Sequence, residues 1–111
     1  MVTTEEKHQD IDIVSLTGRF VMADAPDVRE RLRTLIEAGA GKLIIDMDNV
    51  TFIDSSACAV LISAFKAIQA RNGHLVLVTS PEVQTLIELT RLHMIFEITS
   101  SLPTAIAAFA D

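Results

Sequence analysis

The sequence predicts an α/β domain, with a single mixed β-sheet of about five strands and about four helices. Three observations carry that expectation. Short β-branched, apolar runs alternate with segments whose apolar residues recur at helical spacing. Asp, Ser, Pro and Gly stand where helix starts and stops need them. The 111 residues, half of them hydrophobic, are one domain's worth of chain and enough to bury a core.

Ile11 to Thr17 is β-branched and apolar and reads as a strand, which Gly18 ends. Thr3 to Gln9 is expected beside it as a weaker, antiparallel edge strand. Asp24 reads as a helix N-cap, with Pro26 just inside the first turn and Asp27 three residues on. Val28, Leu32, Leu35 and Ile36 follow at helical spacing. Arg29, Glu30, Arg31, Arg33 and Glu37 take the other faces, and Gly39 and Gly41 stop the helix.

Leu43 to Met47 is a short apolar run, expected as a strand covered on both faces. Asp48-Asn49 begins a turn. A second helix is expected over 56–70, its core face carrying Ala57, Val60, Leu61, Ala64, Phe65 and Ile68. Its outer stripe carries Ser56, Ala59, Ser63, Lys66 and Ala70, and Asn72-Gly73 closes it. Leu75 to Thr79 is another buried strand. Ser80-Pro81-Glu82 opens a helix lined by Val83, Leu86, Ile87 and Thr90. Ile95 to Ile98 is a short final strand, and Ser101 caps a last helix containing Ala105, Ile106 and Phe109. Such alternation implies parallel central strands joined by right-handed crossovers. No repeat or linker interrupts it. The expectation is one domain over 1–111, with its core at about 11–109.

Composition narrows the function. Net charge is −6, from 15 acidic and 9 basic residues, with no basic cluster. Such a surface repels phosphate backbones and anionic membranes, which argues against nucleic acid as a partner. No stretch approaches the roughly 20 apolar residues of a membrane span. The first ten residues lack the apolar core of a signal peptide. The lone cysteine, Cys58, cannot form an internal disulfide and suits a reducing compartment. Together these point to a cytoplasmic protein.

The chemistry concentrates at Asp54-Ser55-Ser56, which leads into the second helix. The first N–H groups of a helix have no partner within it, and the dipole places partial positive charge there. A serine at that place can cap the helix; it can also carry a phosphate at little structural cost. Both readings stand on the motif alone. A phosphate would add about −1.5 to −2 charges beside Asp54, turning a docking surface into a repelling one.

Val50-Thr51-Phe52-Ile53-Asp54-Ser55-Ser56 resembles the signature of STAS domains of the anti-sigma factor antagonist family. Its setting is similar too, in Leu16-Thr17-Gly18-Arg19-Phe20, in Lys42 to Met47, and in Asn72-Gly73 followed by a strand and Ser80-Pro81. The likeness runs from about Ile11 to Phe109 and implies the STAS fold. It also implies a non-enzymatic protein without a cofactor, which binds an anti-sigma factor that is itself a serine kinase. Ser55, rather than Ser56, is the implied phospho-acceptor, and a serine phosphatase reverses the modification. The implied partner surface takes Asp54, Ser56, Ala57, Cys58 and Ile62 from the helix. From the strand–loop it takes Arg19, Met22 and Asp24. Met22 and Ile62 are either an apolar docking patch or extensions of the core. A weak homodimer is compatible with this reading.

The chain departs from the family pattern at Ala57 and Cys58, which stand where Gly and Leu or Ile are usual. Val21 stands where an acid is usual, and the nearest acid is Asp24. The Val21 and Ala57 departures motivate an alternative: an unphosphorylated STAS scaffold in a stress-signalling complex, or an accessory subunit of a lipid-transport ATPase. A second alternative is an enzyme or receiver acting through Asp54, Ser55 or Cys58. Asp46, Asp48 and Asp54 suggest a cation site only if they converge; otherwise they are solvated turn acids. Cys58 reads as a small buried hydrophobe and not a thiolate, with no histidine near it in sequence. His8, His74 and His93 are scattered without ligand spacing.

Overall fold

In the computed structural model, which describes residues 1–110, five strands form one sheet in the order of the chain. They are β1 (Val2–His8), β2 (Ile11–Phe20), β3 (Lys42–Ile53), β4 (His74–Thr79) and β5 (Glu97–Thr99). β1 is antiparallel to β2, and β2 to β5 are parallel. The helices are α1 (Ala25–Ala38), α2 (Ser55–Gln69), α3 (Pro81–Leu89) and α4 (Leu102–Ala107), with a single 3₁₀ turn at Leu92–Met94.

Because each parallel strand lies beside the one before it, right-handed crossovers place successive helices on one face. The core follows that geometry. One cluster joins Val14, Leu16, Leu43, Ile45 and Met47 of the sheet to Val28 and Leu32 of α1, Val60 and Leu61 of α2, and Val83 and Ile87 of α3. On the other face Ile11, Ile13, Ile44, Val76 and Val78 pack under α4 through Ala105. β3 is therefore covered on both faces along its first half, as its unbroken apolar run implies. The exposed edge β1 is blunted by charge: Glu5, Glu6 and Lys7 leave little for another strand to pair with.

Several boundaries differ from the sequence expectation, and the reasons are local. β2 does not end at Gly18. Gly18 adopts φ +107° inside the strand, at a register shift between Gly18 and Arg19. The extra residue there is Thr51 of β3, and the positive φ of Gly18 lets β2 follow the shift and continue to Phe20. Asp48-Asn49 likewise is no turn. The pairing passes from Ser15–Asp46 to Thr17–Asn49, so one extra residue of β3 is absorbed as a bulge and β3 runs on to Ile53. Asp46 Oδ1 accepts from the Asp48 N–H at 3.0 Å and steadies it. Since β3 pairs with β4 only as far as Met47–Thr79, β2 and β3 rise above the sheet as a two-stranded extension. α2 begins at Ser55, one residue earlier than expected. β5 begins at Glu97, because Leu92 to Ile95 are taken by the 3₁₀ turn and its end. Phe109 lies beyond α4 but still packs on its core cluster.

Candidate functional site

The two-stranded extension delivers the chain to α2 on one side and to the β2–α1 loop on the other. Asp54 follows β3 directly in extended conformation, with φ −103°. Its Oδ1 accepts from the Ala57 N–H at 2.9 Å, and its carbonyl accepts from the Cys58 N–H at 3.1 Å. Asp54 is thus the N-cap, and its negative charge meets the positive end of the helix dipole.

Since Asp54 fills the capping role, the cap does not need the hydroxyl of Ser55. Ser55 is the first helical residue and is exposed, whereas Ser56 beside it is half-buried. The side chain of Ala57 is fully buried, and its N–H is held by Asp54. Its expected contribution to the partner surface is therefore withdrawn into the core. Cys58 and Ile62 lie three and seven residues beyond Ser55, on the same stripe of the helix. Both are half-buried and pack against the core.

The strand–loop carries the other expected contact residues. The Met22 side chain is 70% exposed, the largest apolar exposure in this region. The Met22 N–H donates to Asp54 Oδ2 at 2.9 Å, joining loop to helix start. Asp24 does not cap α1 with its side chain. Its own backbone is already helical, and Oδ2 accepts from the Val21 N–H at 3.3 Å. Arg19 is exposed and lies over the Phe52 ring, 4.7 Å from its centroid. Phe52 backs Arg19 and was not among the expected site residues, since only the shifted β2–β3 register pairs the two.

Burial, and then the charge of Asp54, push the Cys58 thiol above its ordinary pKa. It is protonated at neutral pH and a poor nucleophile. Among the described residues no group of three or more acidic, His or Cys side chains is arranged to hold a metal ion. A cleft of about 570 Å³ lies at the ends of β4 and β5, beside the middle of β3, lined by Asp48, Ser80, Gln84 and Thr99 among others. Ser55 is outside it, on open surface. No described helix is long and apolar enough to cross a membrane.

Residues 3–105 match the STAS domain family. The chain is 32% identical over 100 residues to the anti-sigma-B factor antagonist of Listeria monocytogenes, covering 87% of this chain and 88% of that one. An anti-sigma factor antagonist from Mycobacterium paratuberculosis has a similar structure, with TM-score 0.87 and 25% identity, covering 99% of this chain and 94% of that one. The Bacillus cell fate determinant SpoIIAA in its phosphorylated form shares the fold at TM-score 0.75 and 17% identity, covering 96% and 98%. With five strands in one mixed sheet, four helices and the match over 3–105, the chain belongs to the STAS domain family.

Proposed function

We propose that this protein is an anti-sigma factor antagonist switched at Ser55. Unmodified, it docks on an anti-sigma factor that has serine-kinase activity. That partner moves the γ-phosphoryl group of ATP to Ser55 Oγ; ADP leaves and the hydroxyl proton is released. The phosphoprotein then dissociates, and a serine phosphatase returns it to the docking form. The chain itself acts by binding and not by catalysis, and it works in the cytoplasm, where a lone thiol stays reduced.

One observation carries the reading: Asp54 caps α2 and leaves Ser55 exposed beside the exposed Met22. A kinase can reach such a hydroxyl without opening the fold. A phosphate there adds about −1.5 to −2 charges next to Asp54, at the centre of the docking surface and away from the core. The names of the relatives agree with this role, and the fold of SpoIIAA persists in its phosphorylated form. Met22 and Arg19, backed by Phe52, are the anchors expected to carry most of the contact.

The test is intact mass after incubation with ATP and the kinase that co-purifies from the host. A gain of one phosphate that disappears in Ser55→Ala is expected. No gain, or a gain that persists in Ser55→Ala, overturns the proposal.

A further inference from the structure

Two successive N–H groups of the β2–α1 loop are held by carboxylates from different parts of the chain. The Val21 N–H donates to Asp24 Oδ2, and the Met22 N–H donates to Asp54 Oδ2. Asp54 also donates its own N–H to the Phe20 carbonyl at 3.3 Å. Its carboxylate is thus divided, with one oxygen on the helix at Ala57 and the other on the loop at Met22. The loop is short and exposes its main apolar side chain to solvent. The ladder and the Phe20–Asp54 bond fix the end of β2 beside the helix start, but beyond Phe20 this oxygen is the side-chain acceptor that ties Met22 to it.

We infer that Asp54 is a positioning residue that locks the Met22 loop to the start of α2, and that phosphate on Ser55 loosens the lock. The inference rests on the reading of Ser55 as phospho-acceptor. A phosphate on the first residue of α2 stands next to Asp54 and competes for the same first-turn N–H groups. It is the stronger acceptor and repels the carboxylate. If Asp54 turns from Ala57, its second oxygen leaves Met22 as well, because both belong to one rigid, planar group. The charge state of Ser55 is then expressed twice: at the serine, as repulsion, and in the loop, as a displaced anchor. A partner that reads both discriminates more sharply than charge alone allows.

Amide hydrogen exchange by NMR separates these claims on three proteins: wild type, Asp54→Asn, and the chain carrying phosphoserine at position 55, installed during translation. Asparagine keeps one oxygen for the cap but puts a donor where Oδ2 was, and a donor cannot accept from the Met22 N–H. The Met22 amide is expected to exchange about fivefold faster or more in both altered proteins, the change that accompanies loss of one hydrogen bond. In Asp54→Asn the Ala57 amide keeps its wild-type rate. Unchanged Met22 exchange in Asp54→Asn overturns the lock, and unchanged exchange in the phosphoserine protein overturns the coupling. Ala57 accelerating in step with Met22 in Asp54→Asn also overturns it, since that is only a lost cap. No partner or kinase enters these measurements, so failure here leaves the docking proposal standing. Failure of phosphate uptake leaves the Asp54 lock standing.

Discussion

The starts of α2 and α3 solve the same problem in opposite ways. Both follow parallel strands of the sheet, and both place a capping side chain before the first turn. At α3 the cap is Ser80, and its hydroxyl is fully committed. It donates to the Val50 carbonyl at 2.6 Å and accepts from the Val83 N–H at 3.2 Å, and the residue is 3% exposed. At α2 a carboxylate takes the cap, and the following serine stays in solvent. What differs is which residue meets the helix's orphan donors. At α3 the capping serine is structural and hidden; at α2 the serine one residue after an aspartate cap is left free for chemistry.

The comparison breaks most visibly at Ser80. Ser80→Ala removes the cap and the buried donor to Val50 together, and is expected to cost about 2–3 kcal/mol in urea unfolding. Asp54→Ala removes a partly exposed cap, and should cost about 1–2 kcal/mol in the same assay. Ser55→Ala touches neither cap and should stay within about 0.5 kcal/mol of wild type. If Ser55→Ala proves as damaging as Ser80→Ala, the distinction between the two serines fails.

The smallest effect sharpens the electrostatics of the α2 start. Burial and Asp54 hold the Cys58 thiol above its ordinary pKa. Alkylation by iodoacetamide at neutral pH should therefore be slower than for an unstructured cysteine. Asp54→Asn removes the negative charge, brings the pKa down toward its ordinary value and speeds the reaction modestly. The sign for stability follows. With the folded pKa raised, the contribution of Cys58 is present below the ordinary thiol pKa. It is lost as pH rises through the folded value, in the alkaline range.

Much of this was legible in the sequence, because caps and periodicity are local. Ser80-Pro81-Glu82 and Ser101 open helices as their residue types require, and the apolar spacing of α1 and α2 marks their buried faces. The misses have a common cause. Gly18 and Asp48-Asn49 carry the same signals in a bulge as in a turn, and only the pairing of two distant strands tells them apart. Asp24 sits where a cap belongs, yet its carboxylate goes to the loop behind it. The bond from Met22 to Asp54 spans 32 residues, and no local pattern announces it.

The strand order has a kinetic consequence. Each strand pairs with the one made just before it, so the sheet can grow in the order of synthesis without waiting for a distant partner. The face under α4 is the exception. Ile11, Ile13, Ile44, Val76 and Val78 are in place early, but their cover comes from residues 102–107. Until those residues arrive, the nascent chain carries an uncovered apolar sheet face, and that interval is its time of greatest exposure to aggregation.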